Sequence, residues 1–327
     1  QMTPEYQEFI LGGELSPIER LSMAFLVPKS AAHIQFAYYQ SSLVVEYLVE
    51  NYGEECISKI LQDLGDGIFI NIAIENHASK MDELQPAFTE YATAKAKDFA
   101  AEADLTKPNP LEVNPLDQNA IVDWLESNPN NIWALNATCV NLIDQEKYLE
   151  AIPLLEKSIK LYPRQRGGSS PYGMLSLAHR ELGQADNELS VLEKWAAIED
   201  SATKLYERLM KIYADRKDWP SVERSAKRFF SANPLSPVSH RFMALKSQET
   251  GDKAASVRPL KRLLLLNPAD PVDLHFRLAS ALVDISPDEA KRHALQALED
   301  APRFRAAQNL LVRLNEPKIK PSEKVKA

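Results

Sequence analysis

Pro234, Pro268 and Pro302 stand at a fixed interval of 34 residues. Each closes an apolar-periodic run, SAKRFFSANP, LKRLLLLNP and HALQALEDAP, and Pro163 closes an earlier one, LLEKSIKLYP. Proline has no backbone N–H and restricts the residue before it, so such runs read as helices that stop there. A recurring unit of this size is one supersecondary element that cannot bury its apolar face alone. It must stack on copies of itself, and at least about three are needed for a stable core. This constraint already excludes most folds open to a chain of 327 residues.

The units can be followed residue by residue. The stretch 203–236 carries Tyr206, Leu209 and Tyr213 on one helical face, then Phe229 and Pro234 on a second. The stretch 132–165 carries Leu135, Leu142, Tyr148, Ala151, Leu155 and Pro163. The stretch 169–202 carries Tyr172, Leu175, Gly183, Leu192 and Trp195, with Asp200 where proline is expected. The stretch 237–270 carries Met243, Ala244, Gly251, Leu260, Leu263 and Pro268. A last unit, 271–302, is one residue short in its inner turn and keeps Leu278, Ala279, Leu282, Ala290, Ala294, Ala297 and Pro302. Small residues let paired helices approach, large ones fill the gaps between pairs, and Gly183 and Gly251 stand where a first helix should end. Aromatic, leucine, small residue, tyrosine, alanine and closing proline at this period resemble the tetratricopeptide repeat. The resemblance implies an all-α superhelical solenoid over residues 116–314 that binds a protein or a peptide.

The flanks fit an array. RFRAAQNLLVRL (303–314) places Phe304, Ala307, Leu310, Leu311 and Leu314 in one stripe and reads as a capping helix. Residues 315–327 read as a basic tail, and 107–115, KPNPLEVNP, as a linker. LDQNAIVDWLESNP (116–129) reads as the second helix of a degenerate repeat. Gly167 and Gly168 fall in a three-residue insertion between the first two full units and read as a turn.

Residues 1–106 have no repeat period and read as a small helical domain. Ser16-Pro17 with Glu19 is a helix start. A long helix through AAHIQFAYYQSSLVVEYLVENYG stops at Gly53, a shorter one follows, and 81–103 reads as a last helix bent near Pro86. IFINIAIENH (68–77) fits strand or helix equally by period. Tyr38-Tyr39-Gln40-Ser41, with Gly53 fifteen residues after Tyr38 and Phe88 and Tyr91 further on, resembles the carboxyl-terminal helical lobe of gluzincin zinc peptidases. That resemblance implies an oxyanion-stabilising hydroxyl at Tyr38. It also implies a zinc-binding HExxH lobe, which this sequence does not contain: its six histidines include no i, i+4 pair. The chain opens on Gln1, and the expectation is a processed form or a piece of a longer protein, with zinc held elsewhere. This chain alone is expected to carry no catalytic residue set, no cofactor and no metal.

Composition narrows the function further. The net charge is −8, which gives no global electrostatic support for nucleic acid. Two cysteines exclude a disulfide scaffold, and no run approaches the ~18 apolar residues of a membrane span. The compartment stays open, as does dimerisation. Against this acidic background Lys204, Arg208, Lys211 and Arg241 fall on the first helices of their units, which line the groove of such an array. They are the candidate peptide-binding residues, suited to an acidic segment; the alternative is a merely solvated face. Asn136, Val140, Ile143, Glu207, Leu245, Phe276 and Ser280 share that register. Lys204 and Arg208 match the basic pair of repeats that clamp a terminal carboxylate, while Met174, Asn136 and Val140 depart from that pattern.

Overall fold

The computed structural model describes residues 1–166 and 170–316, so Gly167, Gly168 and most of the basic tail lie outside the described residues. Among those described the protein is all-α. The sole β feature is an isolated bridge between Asp104 and Asn131. The chain forms two compact units, Gln1–Thr138 with Lys160–Pro163, and Cys139–Ile159 with Arg164–Ala327.

The first unit begins with α1 (Pro4–Leu11), capped by the Thr3 hydroxyl, and a short α2 (Met23–Leu26). The long α3 (Ala31–Tyr52) is capped by Ser30 and ends at Gly53, whose φ of 81° lies where only glycine is unstrained. Next come α4 (Glu54–Gly65), α5 (Ile70–His77) and α6 (Met81–Asp98). Segment 68–77 is thus helical. Ala73 and Ile74 are its buried pair, adjacent positions that a strand would have sent to opposite faces. The last helix ends at Asp98 rather than 103, because Ala100 turns to a φ of 50°. The core is built on Phe36, Leu43, Leu48, Leu84 and Phe88. Lys95 on α6 binds Glu46 on α3 at 2.6 Å, and the Tyr91 hydroxyl donates to Glu50 at 2.9 Å, tying the two long helices together.

Helices α7 (Gln118–Ser127) and α8 (Ile132–Asp144) follow. Residues 107–115 are anchored at both sides. Val113 packs with Ile121 and Ala134, and Asp104 accepts from the Asn131 side chain at 2.7 Å. Burial would raise the Asp104 pKa, but bonds from Asn131 and Thr106 outweigh it and hold it low. Helix α7 and the start of α8 thus belong to the first compact unit, whereas the repeat pattern starts at residue 116.

In the second unit hairpins follow one another: α10 (Pro171–Glu181) with α11 (Ala185–Ala196), α12 (Thr203–Asp215) with α13 (Trp219–Ala232), α14 (Val238–Glu249) with α15 (Lys253–Leu265), and α16 (Pro271–Leu282) with α17 (Pro287–Asp300). They are preceded by α9 (Tyr148–Leu161) and closed by α18 (Arg305–Asn315). The inner turn repeats with the sequence. Left-handed residues occur at Glu146, Gly183, Lys217 and Gly251, 37, 34 and 34 residues apart, and the first interval carries the three-residue insertion. After Gly183 and Lys217 the next N–H returns to the first helix, Gln184 to the His179 carbonyl and Asp218 to that of Tyr213. This is the glycine-type helix stop. Asp218 and Asp252, one position after the turn, cap the following helices through Ser221 N–H and Ala255 N–H.

The residues that define the pattern form the core. Tyr206, Leu209 and Phe229 are buried together, and the Tyr206 hydroxyl donates to the Glu199 carbonyl at 2.6 Å. Ala290, Ala294 and Ala297 make a fully buried small stripe on α17 that lets it approach α16. Two turns use a side-chain-bearing residue where the repeat elsewhere has glycine. A left-handed non-glycine residue costs roughly 1 kcal/mol. Lys217→Gly is therefore expected to stabilise the second unit by about that amount, read as a higher urea midpoint; a lower midpoint would show that the turn is not strained.

Candidate functional site

The four basic residues separate once side chains are placed. Lys204 and Lys211 on α12 and Arg241 on α14 are exposed and form no ion pair among the described residues. Arg208 is already matched. Its Nε and Nη2 donate to the two carboxylate oxygens of Glu188 on α11 at 2.6 and 2.7 Å. Glu188 is 2% exposed, so the pair closes the α11–α12 packing as well as carrying charge. The bonds that Arg208 donates to Glu188 raise its pKa further. Arg208, expected among the groove residues, is therefore committed to a contact between two helices rather than left as a free surface charge.

Where α14 and α16 face each other the surface opens into two clefts. One, about 640 Å³, is lined by Arg241 and Leu245 of α14, Leu263 of α15, Asn267 of the following turn and Leu274 of α16. The other, about 580 Å³, is lined by small residues, Ala244, Ser247, Ser280 and Ala281, with Phe276 as its aromatic wall. Gln248, Asp273 and Arg277 border both. Arg277 reaches Gln248 Oε1 at 3.4 Å and Asp273 at 3.6 Å. The register expected for the groove thus puts Arg241, Leu245, Phe276 and Ser280 on cleft walls. Gln248, Asp273 and Arg277 were missed. Their one sequence signal is an Asp-to-Arg i, i+4 pair on a first helix, which ordinary surface helices also carry.

The histidines serve local structure in several places. His179 bonds Gln184 at 2.7 Å beside the Gly183 turn, and His77 bonds Asp63 at 3.0 Å. His275 on α16 and His293 on α17 stack at 5.1 Å, with their Nδ1 atoms 2.9 Å apart. One nitrogen must donate and the other accept, so a doubly charged pair cannot keep this bond. Burial lowers the His275 pKa against a raising contribution from Asp300. Burial and then His275 lower that of His293; Lys261 adds to this, while Gln296 and Glu289 oppose it. With folded pKa values below the ordinary value, the unfolded chain takes up protons first as pH falls below about 6.5, and stability drops in that window. The melting temperature is expected to fall from pH 7.5 to 5.5, less steeply in His293→Gln. An unchanged slope in the variant would refute the assignment.

In the first unit Tyr38 is 63% exposed inside α3, and Phe25 of α2 packs edge-on against it at 4.9 Å. Met23, Leu26 and Val27 on or next to the same short helix are also exposed. The Ser41 hydroxyl donates to the Ala37 carbonyl, a local bond within α3. Among the described residues no group of three or more His, Cys, Asp or Glu could hold a metal ion, and no helix is long and apolar enough to cross a membrane.

Helical hairpins of 34-residue period, with small residues at the pair interface and a closing helix, define a tetratricopeptide-type array in the second unit. No family model matches the chain, and no curated protein does. Among solved structures the chain is similar to YrrB, described as a TPR protein with an unusual peptide-binding site, at 11% identity over 59% of this chain and 98% of that one, with a TM-score of 0.45. It is also similar to MamA, at 18% identity over 46% and 86% with a TM-score of 0.40. A third is TTC0263, a thermophilic TPR protein of Thermus thermophilus, at 19% identity over 56% and 98% with a TM-score of 0.29.

Proposed function

We propose that the chain is a protein-interaction module whose second unit takes an acidic peptide segment of a partner along its first helices. The observation that carries this reading is the larger cleft between α14 and α16, with apolar walls at Leu245, Leu263 and Leu274 and the exposed, unpaired Arg241 at its edge. Such a surface suits an apolar side chain flanked by carboxylates. Lys204 and Lys211 on α12 extend the positive charge, and Arg208 contributes by holding α11 to α12. Binding of acidic peptides should weaken as salt rises, because exposed charges are screened over ~8 Å at physiological ionic strength. Arg241→Glu is expected to raise Kd by about tenfold or more, the scale of a like-charge contact at an interface, without lowering the melting temperature. Unchanged binding would return the basic residues to a solvated face.

A second reading concerns the first unit. The exposed Tyr38, packed edge-on by Phe25 of a short helix whose Met23 and Leu26 are also exposed, suits a wall of a larger zinc peptidase. The described residues do not supply a zinc ligand set, so in this reading the metal belongs to a longer protein. A longer gene product that cleaves peptides and loses 10²–10³-fold in kcat on Tyr38→Phe would support it. Activity unaffected by that substitution would overturn it.

A further inference from the structure

Phe230 on α13, His240 on α14 and Arg262 on α15 meet where three helices of the second unit come together, with Arg258 one turn earlier on α15. The Arg262 guanidinium lies over the Phe230 ring, 5.0 Å from its centroid. The His240 imidazole packs on the same ring at 5.5 Å. Stacking holds the guanidinium plane by its face and leaves its N–H edge free to donate. Arg258 lies one helical turn before Arg262, so both project from one face of α15, where two like charges repel each other. Neither arginine makes an ion pair or a hydrogen bond among the described residues. His240 is 6% exposed, yet its ring nitrogens also have no hydrogen-bond partner among them. In a chain of net charge −8, an imidazole and two guanidinia without an acidic partner thus come together at one three-helix junction.

We propose that Arg258, Arg262 and His240 form a site for a phosphate group. A planar carboxylate is filled by the fork of a single guanidinium, whereas a tetrahedral dianion can accept from two guanidinia and an imidazole together. Burial, then Arg262, then Arg258 hold the His240 pKa below its ordinary 6.5. Those two arginines are the charges that act on it, and no carboxylate among the described residues offsets them. A bound dianion reverses that field, so ligand binding and proton uptake at His240 are linked.

The test is an NMR titration of the whole chain, with the His240 imidazole signal assigned through His240→Gln. Inorganic phosphate is expected to raise the His240 pKa saturably, while sodium chloride of equal ionic strength does not. Arg258→Ala with Arg262→Ala should weaken phosphate at least tenfold, and the milder Arg258→Lys alone should give an intermediate loss in a chain of unchanged melting temperature. Arg241→Ala should leave the response intact, which separates this site from the peptide groove. A phosphoserine peptide binding more tightly than inorganic phosphate supports a modified partner side chain as the source of the group; equal affinities support free phosphate. The proposal is overturned if chloride reproduces the shift, if acetate matches phosphate, or if the double alanine variant responds like the parent.

Discussion

Arg208→Ala is expected to lower stability by about 3 kcal/mol, because it strands a buried carboxylate. Glu188 is 2% exposed and receives two short bonds from the guanidinium, at 2.6 and 2.7 Å. The arginine itself keeps 27% of its side-chain surface, so the loss belongs at the lower end of the range for buried pairs. Glu188→Ala should cost less, since the freed guanidinium can turn to water. The double variant should then be more stable than Arg208→Ala alone, a non-additivity expected of residues in direct contact. Arrays of this kind need not unfold in one step, so midpoints in urea from two probes are the appropriate measure. A midpoint for Arg208→Ala within error of the parent would show the pair to be dispensable, and Arg208 would return to the set of groove residues open to charge reversal.

Deleting residues 303–327 is expected to be the most damaging change at the carboxyl end. Leu310 is 7% exposed and packs with Ala279 and Ala294, with Leu311 and Leu314 beside them. Phe304 meets Phe276 edge-on at 4.8 Å. Burial of a leucine or phenylalanine side chain contributes about 1.5–3 kcal/mol, so removing these contacts costs on the order of 5 kcal/mol. It also opens the final hairpin to water, which is why arrays end in a helix with one polar face. Deleting only 318–327 leaves all of α18 in place, and its midpoint is expected to match the parent. Equal midpoints for the two truncations would refute the capping role. Leu310→Ala is the gentler version, with an expected loss of about 2–3 kcal/mol.

Much of the second unit could be read before any coordinates. Tyr206, Leu209 and Phe229 are buried where the 34-residue pattern puts them, and Gly183 and Gly251 turn left-handed where the first helices stop. The candidate site was legible only in part. Arg241, Leu245, Phe276 and Ser280 reach the clefts, but Arg208 does not stay free, and Gln248, Asp273 and Arg277 gave no distinctive signal. In the first unit the same kind of reading left 68–77 undecided and carried the last helix past Asp98.

The difference has a physical cause. A helical hairpin is specified by residues near one another in sequence: the spacing of its apolar positions, the stop at its turn, the cap one residue later. Repetition states those rules several times, so one atypical turn, such as Lys217, does not hide the pattern. The sequence alone therefore determined, for the repeat array, its helical class, the hairpin period and the residues that face its core. Which charges are neutralised is settled between hairpins. Arg208 finds Glu188 on the preceding helix, and Arg262 is held by a phenylalanine of the previous hairpin. Tyr38 meets Phe25 because of how α2 approaches α3, which no spacing within α3 encodes. Only the tertiary structure decided those pairings, because a side chain's partner depends on the approach of a second helix, and that approach is a property of packed surfaces rather than of local sequence.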